Sequence, residues 1–499
     1  MNVGAGHAEQ PSSFRGTRSE IVAARPAGAR RKIVLYNPKA EFFTMPLALL
    51  AIGSALDPDV YEVVIIDGRL DVDPVAALGP HLEDALCLGV TVLTGAPISD
   101  ALRVTRAAKQ LRPRLPIVWG GWHPSMFPLE CLDEPSVDVT VQGQGEETFA
   151  EIVDRLAAGR SLEGCPGCTA RLADGRLQQN PARPLLSVDR FRAHDYRLIP
   201  VERYFAMKGR RQLDFISSQG CNFRCAFCSD PFVYGRKWVG LDPGAIGTRL
   251  DELWERYRFD DVNFQDETFF TRRDRVQSMA DQFVANGSRF TWAATMRADQ
   301  GMRLPEETWA RCRQSGLRRL LVGVESGSEE MLKRIRKDIT LEQVFHTARK
   351  MHQHGIAGIF PFIVGFPDET SDSVAASLLA AKQLRAMSPD FSTPFFYFKP
   401  YPGSEIVTEA VARGLALPDT LEGWSTFDYV DGAPGPWVTP DTLKLLERFK
   451  FFQALASEQA SKRWAWLQSL ARYRCSRDDY RWPVEMHLLR WLKAAPELQ

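Results

Sequence analysis

No charge of either sign prevails in this chain: 62 lysines and arginines stand against 62 aspartates and glutamates. A nucleic-acid binder would show a basic excess or a basic stripe, so the balance gives no electrostatic case for that partner. No apolar run reaches the roughly eighteen residues that a membrane helix needs. No charged segment followed by an apolar core opens the chain as a secretion signal would. Cysteine is sparse, nine in 499 residues, which excludes a disulfide scaffold. These absences predict a protein of the reducing cytoplasm. Hydrophobic content of 44% is ordinary for a chain with a sizeable core, and the length suits two or three domains.

Three of the few cysteines fall in eight residues, Cys221-Asn-Phe-Arg-Cys225-Ala-Phe-Cys228. Zinc sites share such short spacings. Here the nearest downstream cysteine is Cys312 and the nearest upstream histidine is His194, so no fourth zinc ligand is obvious. Three thiolates can instead hold three irons of a 4Fe-4S cube. A cluster used only for electron transfer takes four, so three leave one iron open to bind something. The C-x-x-x-C-x-x-C spacing, with the aromatic Phe227 before the last cysteine, resembles the signature of the radical S-adenosylmethionine (SAM) superfamily. That resemblance implies that SAM is chelated at the open iron and cleaved reductively to a 5′-deoxyadenosyl radical. It also implies an electron donor such as flavodoxin or ferredoxin.

Ahead of this motif, short apolar runs alternate with helical patterns. Lys32–Tyr36, Tyr61–Asp67, Ala85–Leu93, Pro116–Trp119 and Val137–Val141 read as strands. Pro46–Leu56 and Ser99–Leu111 read as helices, the second with Ser99 as N-cap. Alternating strands and helices predict a doubly wound parallel sheet over 31–160, with ligands at the carboxyl ends of its strands. Those ends carry Thr91, Leu93 and Thr94, then Gly120-Gly121-Trp-His123, then Gly143-Gln-Gly145-Glu146. Glycines let a backbone approach a cofactor closely. The order of these segments resembles the cobalamin-binding domain that precedes the radical domain in one large branch of the superfamily. Thr91-Val-Leu93 stands where such domains carry Ser-x-Leu. No Asp-x-His-x-x-Gly follows the first strand, so no histidine there can take the lower face of cobalt. His123, on another loop, is expected as a polar contact or cap rather than a cobalt ligand.

Residues 1–30, rich in Ala, Gly and Arg, read as a disordered tail, and 161–210 as a linker in which Cys165-Pro-Gly-Cys168 is a tight turn with two free thiols. From 211 to 402 six strand–helix units recur: Leu213–Ser218, Asp261–Gln265, Phe290–Thr295, Arg319–Val324, Ile359–Val364 and Phe391–Lys399. They predict a partial (β/α)6 barrel with its chemistry after each strand. Asp242-Pro243 opens one of the helices as N-cap and first-turn proline. Within the family resemblance, Asp266 and Glu267 stand where an acidic group meets the amino group of SAM. Arg297 stands to pair with its carboxylate, Glu325 and Ser326 to contact the ribose or methionine moiety, and Gly365-Phe366 to pack on adenine. From 403 to 499 the pattern is helical and aromatic, with Trp464, Trp466, Trp482 and Trp491. It reads as a cap on the open side of the barrel, with a substrate-binding cap or a membrane-surface contact as the sharper alternatives.

The expected whole is an α/β enzyme with a cobalamin domain, a partial barrel and a helical cap. Its cofactors are a 4Fe-4S cluster, SAM and cobalamin, and its substrate is a small molecule. The resemblance implies C-methylation of an unactivated carbon. The same parts serve an oxidative cyclase or a ring rearrangement, SAM bound without radical formation, or a cobalamin sensor without chemistry. The intact cysteine triplet argues against the sensor.

Overall fold

The computed structural model describes residues 30–41, 44–427, 435, 437–456, 465–477 and 479–491. Residues 1–29 of the tail expected over 1–30, and Trp464, lie outside them. Seven strands build the first sheet: β1 (Arg31–Asn37), β2 (Tyr61–Asp67), β3 (Ala85–Thr91), β4 (Ile117–Gly120), β5 (Val139–Val141), β6 (Cys168–Arg171) and β7 (Leu177–Gln179). Their order is β2-β1-β3-β4-β5-β6-β7. The first five are parallel, as expected, and both faces of the sheet are covered. On β1, Ile33 and Leu35 join one core with Leu49, Phe149 and Ile152, while Val34 and Tyr36 join another with Leu78, Ile98 and Leu102. That two-sided burial is why these strands read as unbroken apolar runs.

Several expectations are corrected here. The helix Pro97–Leu111 starts two residues before Ser99, which sits inside its first turn with Ala96 at the cap position. Proline is pre-set for the first helical position, and it wins over the serine as the start. A helix over Pro74–Leu82, which the sequence reading passed over, is capped by the Asp73 carboxylate accepting from the Val75 and Ala76 amides. The linker supplies β6 and β7, which extend the first sheet antiparallel. Cys165 and Cys168 are free and buried as a turn, with Cys168 Sγ donating to the Cys165 carbonyl at 3.3 Å. A further helix, Val201–Lys208, leads out of the linker.

The second unit contains β8 (Gln212–Phe215), β9 (Ser218–Gly220), β10 (Trp238–Gly240), β11 (Asp261–Phe264), β12 (Thr291–Arg297), β13 (Leu317–Gly323), β14 (Ala357–Ile359), β15 (Phe362–Val364), β16 (Phe391–Ser392) and β17 (Phe395–Tyr397). Six of them form a parallel sheet in the order β16-β14-β13-β12-β11-β8. Three expected strands are each broken in two. Pro361 and Pro394 fall at two of the breaks, where a residue without an N–H cannot continue a ladder. Beyond them β15 pairs with β17. The first break frees β9 to pair antiparallel with β10 and so to clamp the cysteine loop between them. Asp242 caps the helix Pro243–Tyr257 through the Gly244 amide at 2.8 Å, as expected.

Apolar side chains of β11, β12 and β13, among them Val262, Trp292, Leu320 and Val322, pack outward under the helices. The alternating positions, Asn263, Ala293, Arg319 and Leu321, therefore face the lumen. The C-terminal helices close the far side: Phe449, in the helix Pro440–Ala456, packs edge-on to Phe395 of β17 at 5.0 Å. Trp466 and Trp482 stay exposed. Between barrel and cap, the short helix Leu421–Ser425 returns to the first unit. There Trp424 packs on His123 and Phe127, at 5.8 and 4.9 Å between ring centroids, and Glu422 pairs with Arg106. Among the described residues no helix is long and apolar enough to cross a membrane.

Candidate active site

The cysteine loop follows β9 directly. Gly220 enters it at φ +80°, where an added Cβ would lie 2.3 Å from the Lys237 carbonyl, so β9 can meet β10 only with glycine there. The loop is pinned at Ala226, whose amide donates to the Ile335 carbonyl and whose carbonyl accepts from the Ile406 amide. Cys221, Cys225 and Cys228 are all free and half-buried. Burial pushes the Cys221 thiol up to about 11 and the Cys228 thiol to about 12, so both are protonated without metal. Iron binding must displace those protons, as it does at thiolate sites generally. Among the described residues no three His, Cys, Asp or Glu side chains gather closely enough to hold one metal ion. A cube with one thiolate per iron needs three thiols spread around it on one loop, and the loop provides that donor set.

Other predicted residues assemble around this loop. The Arg297 guanidinium lies 3.7 Å over the Phe223 ring and donates to Cys225 Sγ at 3.6 Å. Asp299 and the Lys337 and Asp338 carbonyls accept from its other nitrogens, at 2.9, 2.6 and 3.4 Å. Phe227 contacts Phe366, which also packs on Phe398. Glu325, at φ +68°, accepts from Lys337 Nζ at 2.7 Å, and Lys337 in turn lies 6.0 Å from the Phe227 ring. The Ser326 hydroxyl is buried and accepts from the Ser328 amide. Gly365, at φ +82°, gives its carbonyl to Trp437 Nε1 and its amide to Glu369.

The two acidic residues after β11 differ sharply. Asp266 is buried and accepts from the Ser217 amide and from the Ser217 and Ser218 hydroxyls, which ties the end of β11 to the approach to the cysteines. Glu267 remains open to solvent although protein surrounds it. That surrounding, and then the charges of Asp230 and Asp266, push its carboxyl up to about 8. Asp230, which the sequence reading passed over, is 3% exposed. Neither of its oxygens makes a hydrogen bond of ordinary geometry, although the Cys221 thiol interacts with them, and burial raises the group to about 7.

A cavity of about 800 Å³ joins the two units. Its floor is the carboxyl ends of the first sheet, where Thr91, Leu93, Gly120, Gly121, Gly143, Gly145 and Glu146 all line it. Gly121, at φ +100°, has room for no Cβ: one would lie 2.9 Å from the Val92 carbonyl. Glu146 is buried and accepts from Gln219 Nε2 of the second unit at 3.1 Å. The opposite wall is Val233 and Tyr234 after the cysteine loop and Asn263, Gln265, Arg319 and Leu321 of the lumen. This glycine-lined cradle fits a large flat cofactor laid on the strand ends. Thr94 and His123 do not line it. His123 is fully buried behind the turn, with Nδ1 3.2 Å from Thr94 Oγ1 and Nε2 unpartnered, and burial lowers it to about 4. A slightly larger cavity, about 860 Å³, lies outside the strand ends between β2, residues 192–198 and the helix Pro243–Tyr257. It holds none of the predicted site residues, whereas the cavity between the two units is lined by seven of them. The lumen residues Asn263 and Arg319 were missed in the sequence. Stepping back by twos from Glu325 along β13 would have found Arg319.

Comparison with known proteins agrees with this layout. Residues 215–380 match the radical SAM superfamily and residues 33–153 match the B12 binding domain. An uncharacterized methyltransferase of Pyrococcus horikoshii, PH0819, is 30% identical over 389 residues, covering 77% of this chain and 82% of that one. The cytidylyl-2-hydroxyethylphosphonate methyltransferase of Streptomyces wedmorensis is 26% identical over 492 residues, covering 84% and 89%. Among solved structures, the cobalamin-dependent SAM radical enzyme OxsB with aqua-cobalamin bound superposes with a TM-score of 0.72 at 17% identity, over 90% of this chain and 71% of that one. At that identity the likeness is one of fold.

Proposed function

The chain belongs to the cobalamin-binding radical SAM enzymes, with SAM, a 4Fe-4S cluster and cobalamin as cofactors, and from that premise we propose that it methylates an unactivated carbon of a small molecule. The observation that carries the reading is the continuous cavity from the glycine-lined strand ends to the barrel lumen, lined on the way by Gln219, Val233 and Tyr234, which flank the three-cysteine segment. Both relatives described above are methyltransferases by name. When bound, the reduced cluster with SAM supplies a 5′-deoxyadenosyl radical, and cobalamin supplies the methyl group.

The chain's own part is placement. Cys221, Cys225 and Cys228 hold the cluster, and Arg297 next to Cys225 adds a positive charge that stabilises electron density on that sulfur. Glu267 offers a carboxyl that ionises once a ligand ammonium sits beside it, while Asp266 fixes the strand end that carries it. Gly120, Gly121, Gly143 and Gly145 let the cofactor lie against the backbone. Thr94 and His123 support that turn from behind rather than reaching the cofactor. The lumen then holds the substrate between the two sources of reactivity. An electron donor such as flavodoxin or ferredoxin and a reducing cytoplasm complete the proposal.

The test is anaerobic reconstitution with iron, sulfide and hydroxocobalamin, followed by metal analysis and a substrate screen by mass. About four irons and one cobalt per chain, 5′-deoxyadenosine in the turnover mixture and a product heavier by one methylene are expected. A product that loses hydrogen and gains no carbon would replace methylation with oxidative cyclisation. Iron without cobalt would remove cobalamin from the reading.

A further inference from the structure

The lumen end of the shared cavity carries an unbalanced positive charge. Arg319, on β13, lines the cavity, and its guanidinium makes no hydrogen bond or ion pair among the described residues. Its neighbourhood holds two more arginines and one carboxylate: Asp261 takes Arg318 through two N–H groups at 2.5 Å each and has Arg210 at 3.7 Å. The other cations nearby are matched. Lys208 is paired with Asp214, and Arg69, at the opposite wall, is held by Asp67. Burial, and then the like charges of Arg318 and Arg210, oppose the charge on Arg319, which Asp261 offsets only in part. A guanidinium in such a place is a poor core residue and a good receptor, because its planar fork of donors matches the oxygens of a carboxylate or phosphoryl group.

What surrounds it gives the anion an orientation. The Asn263 side-chain amide lies in the same cavity with no hydrogen bond among the described residues, and Gln265 donates to Asp214 at 3.1 Å. Along β13, Arg319, Leu321 and Gly323 share one face, a column about 13 Å long at roughly 3.3 Å per residue, and Glu325 follows just past the strand's end. Leu321, 38% exposed, is the apolar surface immediately above the guanidinium, and Glu325 with Lys337 lies at the cysteine end. Gly323 between them makes room for that ion pair, since an added Cβ would lie 2.6 Å from Glu325 Oε1 and 2.7 Å from Lys337 Nζ, so the pair itself closes the cysteine end of the column.

We propose that the substrate carries an oxyanion, a carboxylate or a phosphoryl group, which Arg319 binds in the lumen with Asn263 beside it, and that the adjoining carbon skeleton lies along Leu321, short of the Glu325–Lys337 pair. This rests on the lumen being the substrate chamber. It assigns Arg319 as a substrate-binding residue and makes a wholly apolar substrate the wrong class.

Isothermal titration of the reconstituted full chain with propionate and with propylphosphonate tests it. At least one probe binds the wild type, and R319Q weakens it about tenfold or more, the loss expected for a charge-assisted pair. R319K keeps the charge but loses the fork, and weakens binding by about threefold or more. It also serves if R319Q does not fold. Iron and cobalt contents match wild type in both variants. Preference for propionate assigns a carboxylate, and preference for propylphosphonate a phosphoryl group. The proposal is overturned if neither probe binds, if R319K and R319Q bind as wild type does, or if loss of Arg319 removes cobalt, which would make it a cofactor contact. Failure of methylation shows separately, as the absence of a methylene gain, and leaves the titration readable.

Discussion

Asp261 is the group whose removal should be felt most in the barrel. It stands at the start of β11, opposite Gln212 of β8 and Thr291 of β12 in the sheet register. Its carboxylate, 5% exposed, accepts from Gln212 Nε2, from Thr291 Oγ1 at 2.8 Å and from both Arg318 donors. One side chain therefore ties four neighbouring strands. Burial opposes its charge, but Arg318, Thr291 and Gln212 outweigh burial and hold the carboxyl below the usual carboxylate range. Deleting one partner of a buried pair costs about 3–5 kcal/mol. Arg318 is 22% exposed and can rehydrate in part, which puts Asp261→Ala near the lower end, at about 3 kcal/mol. Asp261→Asn keeps an acceptor and should lose about 2 kcal/mol. For a unit of this size, about 3 kcal/mol lowers the melting temperature by roughly 6–12 °C. Calorimetry of the barrel transition on reconstituted protein reads this directly. The sign with pH is fixed by the depressed carboxyl: the stabilisation is complete above the unfolded value of about 3.9 and is lost as pH falls through the lower folded value. The gap between wild type and D261N should therefore close in strong acid. A D261A melting temperature within about 2 °C of wild type at neutral pH, under 1 kcal/mol on the same scale, would refute the argument.

Three further outcomes are expected. Cys225→Ala should cut the iron bound after anaerobic reconstitution to well under half of wild type, with cobalt unchanged in the same metal analysis. Gly121→Ala puts a side chain at φ +100° and 2.9 Å from the Val92 carbonyl, a strain of about 1–3 kcal/mol, and should lower cobalt content while leaving iron intact. His123, lowered to about 4, gives stability that is complete above the unfolded value of about 6.5 and is lost as pH falls toward 4. Wild type should lose about 2 kcal/mol more than His123→Gln between pH 7.5 and pH 5 in denaturant titrations, and parallel losses would refute the burial effect.

Most of the site could be read from sequence wherever its chemistry is local. Three cysteines in one loop need no tertiary knowledge, and the parallel strands of the first sheet announce themselves because both faces are buried. The remainder depends on relations the chain does not print. Leu177–Gln179 is polar and short, so its place at the edge of the first sheet was invisible. Proline breaks at 361 and 394 were readable in principle but were overridden by the apolar runs around them. Ser326 stands at the expected end of a strand, yet its hydroxyl bonds the Ser328 amide instead of facing outward. Arg319 is one of two adjacent arginines, and only the side of the strand that faces the lumen separates the one bound to Asp261 from the one that is not.

The return of Leu421–Ser425 to the first unit bears on how the protein is made. Arg106 waits for Glu422 across 316 residues, and the His123–Phe127 surface waits as long for Trp424. At roughly 5–20 residues per second, synthesis of that interval takes on the order of 15–60 s. Throughout it the first unit can already have folded on the ribosome while an aromatic face beside its glycine turn stands bare. A newborn chain whose first unit folds during synthesis therefore passes through a stage in which the cofactor cradle is formed and its back wall is missing, and a chain ended near residue 402 would be held at that stage.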